Sequence, residues 1–142
     1  MRIMAVDYGD SRTGIAVCDK DEMLASPLTV ITEYNFDRCT EKAAELAKKE
    51  KAELIVVGHP KNMDGSEGES ARKCEEFARR ISELSGIPAE LWDERRTTVT
   101  AHNYLNETNV RGKKRKAVVD AVAAVVILQG YIDGNRGRRQ EQ

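Results

Sequence analysis

Apolar residues open the chain as two short runs, 2–7 (Arg-Ile-Met-Ala-Val-Asp) and 12–18 (Arg-Thr-Gly-Ile-Ala-Val-Cys), with Tyr8-Gly9-Asp10-Ser11 between them. Turn residues between two β-rich runs predict an antiparallel hairpin. A third β-rich run covers about 24–32, and Pro27 within it points to an edge strand or a bulge, because proline cannot donate to a ladder. The period then changes. Phe36, Cys39 or Thr40, Ala43 and Leu46-Ala47 recur every three or four positions, which predicts an amphipathic helix with a charged outer face.

Leu54-Ile55-Val56-Val57 is continuously apolar, as in a strand buried on both faces of a parallel sheet. A loop rich in Gly, Asn, Asp and Ser runs from Gly58-His59-Pro60 to about Gly68, where Ser66 and Glu69 suggest a capping box. The next helix places Ala71, Cys74, Phe77-Ala78, Ile81 and Leu84 on one face and stops at Gly86 and Pro88. Ala89 to Trp92 reads as a strand ending at Asp93 and Glu94. A short helix over 97–107, a mobile basic stretch and a last helix over about 117–132 complete the order β-β-β-α-β-α-β-α-α. An antiparallel meander followed by alternating strands and helices is an α/β pattern. It predicts a mixed five-stranded sheet with helices on both faces. Residues 1–135 form one domain in this reading and 136–142 a polar tail.

Composition adds limits. The chain has 142 residues, 40% hydrophobic and 33% charged, which suits one compact domain and not a disordered chain. No run approaches the ~20 apolar residues of a spanning helix. The N-terminus enters the first strand without a signal-peptide pattern. Cys18, Cys39 and Cys74 are odd in number, far apart and set among apolar residues, so buried free thiols and a cytoplasmic location are expected. The formal charge of −1 hides an asymmetry: Arg111 to Arg139 holds eight basic and two acidic residues, net +6, leaving −7 elsewhere. A positive face of that kind attracts phosphate, although a solvated loop would have the same composition. Aromatics are only 5% and no stacking platform for single strands is evident, so stacking is not expected to dominate recognition.

Acids interrupt apolar elements at three places. Asp7 closes the first strand and Asp93-Glu94 the last. Asp120 stands in Ala117-Val-Val-Asp120-Ala-Val-Ala-Ala-Val-Val-Ile-Leu128, a helix apolar almost all round. An ionised carboxylate buried there is costly unless a cation meets it. Lys116 at i−4 is one such cation, and a metal in a cleft is the other and the favoured one. Divalent ions need oxygen ligands converging from several elements, and carboxylates suit Mg²⁺ or Mn²⁺ better than zinc. His59 and His102 lack partners at ligand spacing. Around the acids, Gly9, Arg12 and Gly14 form a turn able to hold phosphate, with the bland alternative of a hairpin whose glycines supply positive φ. Arg95 contacts phosphate or neutralises neighbouring acids; Thr97 and Thr98 cap a helix or touch the substrate backbone. Arg111, Lys113, Lys114, Arg115 and Lys116 offer a backbone clamp.

These motifs together are a resemblance. Asp7-x-Gly9-x-x-Arg12-x-Gly14-x-Ala16, Val56-Val57-Gly58-x-Pro60-x-x-x-Asp64-Gly65-Ser66-x-Gly68, Trp92-Asp93-Glu94-Arg95-x-Thr97-Thr98 and Lys113-Lys114-Arg115-Lys116-x-x-x-Asp120-x-x-Ala123-Ala124 resemble the bacterial YqgF family over nearly the whole chain. That family is described as nucleases of pre-16S ribosomal RNA and, under an older name, as Holliday junction resolvases. The resemblance implies an RNase H-like, RuvC-like fold and a metal-dependent endonuclease that matures the 5′ end of pre-16S rRNA. It makes Asp7, Glu94 and Asp120 both catalytic and metal-binding, with two Mg²⁺ or Mn²⁺ ions expected between them. Asp93 rivals Glu94, since neighbouring strand residues point oppositely. The implied partners are structured RNA first, branched DNA second, and ribosomal precursor particles, met as a monomer or a homodimer and away from membranes. His59 and Arg96 depart from the family pattern, where apolar residues are expected. Two other classes are weighed: an actin-like ATPase or sugar kinase, which needs two such subdomains, and a non-catalytic RNA-binding assembly module.

Overall fold

The computed structural model describes residues 2–18, 25–59, 68–93 and 122–134. Strands β1 (Ile3–Asp7), β2 (Arg12–Cys18) and β3 (Ala25–Thr32) form the meander, followed by α1 (Phe36–Lys49), β4 (Leu54–His59), α2 (Glu69–Ser85) and β5 (Ala89–Asp93). A third helix, α3, covers residues 122–134. The strands lie in the order β3-β2-β1-β4-β5, antiparallel across β3-β2-β1 and parallel across β1-β4-β5. This is the expected mixed sheet. The predicted elements over 97–107 and 111–116, and the start of the last helix, lie outside the described residues, as does the polar tail.

Alternate residues of the central strands feed two cores, as the period-2 geometry of strands requires. Met4, Val6, Ile15, Ile55 and Val57 pack with Ala43, Ala47, Cys74, Phe77 and Ile81 of α1 and α2. Ile3, Ala5, Ala16, Leu54 and Val56 pack with Ala124, Val125, Ile127, Leu128 and Ile132 of α3. Two polar contacts fix α3: the Ala25 amide donates to Gln129 Oε1 at 3.1 Å, and the Tyr131 hydroxyl donates to Glu90 Oε2 at 2.7 Å. All three cysteines are buried and none is in a disulfide, as expected. No helix among the described residues is long and apolar enough to cross a membrane.

Two local readings change and a third holds. β4 continues through Gly58 and His59 because these pair with Trp92 and Asp93 of β5; long-range pairing overrides their loop-like composition. The N-cap of α2 is Gly68, without a side-chain cap, so Glu69 is the first helical residue and no Ser66–Glu69 box starts the helix; Ser66 itself lies outside the described residues. Pro27 sits on the edge strand, where the β2–β3 register also slips between Ile15 and Ala16, so both alternatives for that proline hold.

Candidate active site

Strands β1, β4 and β5 are parallel, and β3 shares their direction through two antiparallel pairings. Their carboxyl ends therefore lie along one end of the sheet, together with the N-termini of α1 and α2. Ligand sites in open α/β sheets favour this end. Asp7, the last residue of β1, stands there opposite Gly14 of β2 and is only partly exposed. By alternation with Ile3 and Ala5 it belongs to the sheet face covered by α3.

The turn behind Asp7 is held from inside. A Cβ on Gly9 would come within 2.3 Å of the Arg12 carbonyl oxygen, so glycine is required by close approach. Positive φ is not the reason: among the described residues only Lys51 and Gly86 adopt it. The fully buried Thr13 spans the turn, its Oγ1 accepting from the Gly9 amide and donating to the Gly9 carbonyl, both at 3.4 Å, with Cys39 Sγ 3.3 Å away. Burial pushes the Cys39 thiol pKa up, partly countered by that hydroxyl, so Cys39 serves as packing and not as a nucleophile. Sequence reasoning passed over Thr13; its signal was a lone polar residue inside an apolar strand.

Aromatic packing carries the next residue. The Tyr8 ring lies 5.0 Å from Phe77 and 5.7 Å from Phe36, which meet each other edge-on at 6.0 Å. These rings wedge the end of β1 against both helices. Burial, reinforced by the charge of Asp10, raises the Tyr8 pKa. Lys73 of α2 reaches back to Asp10 at 3.3 Å, and its own pKa is raised by that contact. A small cavity of about 140 Å³ lies between turn and helix, bordered by Tyr8, Asp10, Ser70 and Lys73.

Asp93 falls elsewhere. It pairs in register with His59, on the face where Ala89 meets the α1–α2 core, whereas Trp92 packs on the α3 side. His59 is buried, and its Nε2 lies 3.2 Å from Glu75 Oε1. Arg12 starts β2 at the same sheet end as Asp7, paired with Thr32. Glu94, Arg95, Arg96, Thr97, Thr98, Arg111, Lys113, Lys114, Arg115, Lys116 and Asp120 lie outside the described residues. Among the described residues no three metal-ligating side chains converge, as follows when Asp7 alone of the expected triad is described.

A family model described as "RuvX: Holliday junction resolvase" matches residues 1–134. The chain belongs to this RuvX (YqgF) family. Its relatives match this RuvX chain almost end to end. A protein of Ruminiclostridium cellulolyticum named "Putative pre-16S rRNA nuclease" is 38% identical over 141 residues, covering 99% of each chain. One of the same name from Halothermothrix orenii is 45% identical over 133 residues, covering 94% of this chain and 95% of its own. The RuvX chain is also similar in fold to Thermus thermophilus RuvC in complex with a Holliday junction, with TM-score 0.64 at 13% identity and 96% of both chains covered. Fowlpox virus resolvase with its junction DNA gives TM-score 0.61 at 9% identity, over 94% of this chain and 98% of that one. The fold is thus the RNase H-like fold of RuvC-type resolvases, as the resemblance implied.

Proposed function

We propose that this chain is a metal-dependent endonuclease of structured nucleic acid that matures the 5′ end of pre-16S rRNA, with Asp7, Glu94 and Asp120 holding two Mg²⁺ or Mn²⁺ ions. Membership of the RuvX family supports a hydrolase acting on nucleic acid; the names of the relatives favour the ribosomal substrate. The observation that carries the site is the position of Asp7. It ends the central strand on the face packed by α3, and Asp120 precedes the first described residue of that helix by two positions. Strand alternation leaves Asp93 on the opposite face beside His59, which favours Glu94 as the middle ligand.

The donor set is all carboxylate oxygen, the chemistry Mg²⁺ and Mn²⁺ prefer. Such ions supply an activated water for in-line attack on phosphorus and stabilise the departing oxygen. The protein contributes placement. Gly9 and Thr13 fix the turn that follows Asp7, the Tyr8 ring anchors it to two helices, and Lys73 occupies Asp10 so that its charge is offset near an incoming phosphate. Arg12 and the basic segment 111–116 bind the sugar–phosphate backbone.

A four-way DNA junction is the second reading, favoured by the family's description. It requires two sites and hence a homodimer. The test compares a pre-16S rRNA fragment with a four-way DNA junction, each with Mg²⁺ or Mn²⁺. Asp7→Asn, Glu94→Gln and Asp120→Asn are expected to lose on the order of 10²–10³ in rate, with Asp93→Asn near the unaltered chain. Equal rates in Asp7→Asn and the unaltered chain would refute the site. Loss in Asp93→Asn but not in Glu94→Gln would move the middle ligand.

A further inference from the structure

Tyr34 is the most exposed large apolar side chain among the described residues, at 82%, yet its backbone is held on both sides. The Glu33 amide donates to the Ser11 carbonyl at 3.1 Å, tying residue 33 to the turn that follows Asp7. Asn35 is the N-cap of α1, its side chain accepting from the Arg38 amide at 3.0 Å, and its own amide donates to Glu33 Oε1 at 3.3 Å. A ring on so fixed a support loses little entropy when a partner stacks on it. A single exposed aromatic is ordinary on a protein surface; its location is what distinguishes this one.

β3 runs in the direction of β1, and its last residue, Thr32, pairs with Arg12. Tyr34 therefore stands on the sheet end that carries Asp7 and Arg12. Two strand spacings of about 4.8 Å and roughly four residue rises of about 3.3 Å put it on the order of 15 Å from Asp7, about four stacked nucleotides at ~3.4 Å each. Three acids on this rim are matched by cations: Asp10 by Lys73 at 3.3 Å, Glu33 by Lys42 at 2.9 Å and Asp37 by Arg80 at 3.2 Å. A polyanion passing there meets these three carboxylates already paired.

We infer that Tyr34 is a stacking platform for an unpaired nucleobase of the substrate, several nucleotides from the bond that Asp7 addresses. This rests on the nuclease reading and deepens it, because it commits the site to substrates with a single-stranded segment beside the cleavage point. Aromatic stacking tolerates any base, so Tyr34 selects for an unpaired base without reading its identity.

The test measures binding, not cleavage. Fluorescence anisotropy, with Ca²⁺ in place of Mg²⁺, compares an RNA hairpin carrying a single-stranded tail with a blunt duplex of equal length. Tyr34→Ala is expected to weaken the tailed RNA by about 5- to 150-fold and to leave the blunt duplex unchanged. Tyr34→Phe keeps the ring and stays within about twofold of the unaltered chain. A 2-aminopurine in the tail loses fluorescence on binding to the unaltered chain and not to Tyr34→Ala. Equal affinities of Tyr34→Ala and the unaltered chain for the tailed RNA, or an equal loss on both probes, overturn the inference alone. Binding of neither probe by the unaltered chain overturns the nuclease reading with it.

Discussion

Gly9→Ala adds one methyl group at a point where the backbone leaves no space. The new Cβ would stand 2.3 Å from the Arg12 carbonyl oxygen, against an ordinary contact of about 3.4 Å, so the turn must open by roughly 1 Å, the scale on which overpacking strains a well-packed site. The two Thr13 contacts to Gly9 are already long, at 3.4 Å, and are lost first. Overpacking of this kind costs about 1–3 kcal/mol. For a chain of this length that is a fall in Tm of roughly 3–10 °C, read by thermal or urea unfolding. The same displacement moves the segment following Asp7, and an error of about 1 Å in a positioned group can cost about 10²-fold in turnover. Gly68→Ala is the control, because nothing lies within 4 Å of its Cβ. Gly9→Ala melting with the unaltered chain would show that the close approach is no constraint. Normal cleavage by a destabilised Gly9→Ala would show that the turn does not position Asp7.

Three further outcomes follow from the helix ends and the rim. Gly86 closes α2 in the left-handed region at φ 73, so Gly86→Ala should lower stability by about 1 kcal/mol, whereas Lys51→Gly, at φ 58 after α1, should raise it in the same unfolding assay. The Glu33 carboxyl titrates below its ordinary range because Lys42 and the Asn35 amide bond it. Its contribution is therefore present above the unfolded-state pKa and disappears as pH falls through the folded one. NMR titration should show the Glu33 pKa rise in Lys42→Ala, and an unmoved pKa would discount the pair.

Much of the framework is legible in one dimension because apolar periodicity reports burial directly. The apolar run 12–18 coincides with β2, Pro27 marks the edge, and Gly86 with Pro88 marks the end of α2. Errors arose where distant segments decide. Gly58 and His59 look like loop residues until β5 pairs with them. Ser66 and Glu69 satisfy a capping pattern that the actual start of α2 at Gly68 does not use. Gly9 was legible as a turn glycine, but the reason for it, an oxygen three residues ahead, was not. The two candidates at 93 and 94 differ by which face of a strand each occupies, and only the partners of Ala89 and Trp92 reveal that parity. Tyr34 was invisible as a surface feature because local sequence contains no information about which sheet end a loop joins.

Pro27 has one more effect. An outermost strand presents unpaired backbone donors and acceptors that another chain can adopt, which is how sheets grow into aggregates. β3 is outermost among the described strands, and Pro27 removes a donor from it where the slipped register already bends the ladder. The meander thus ends in a strand that is a poor template for further growth.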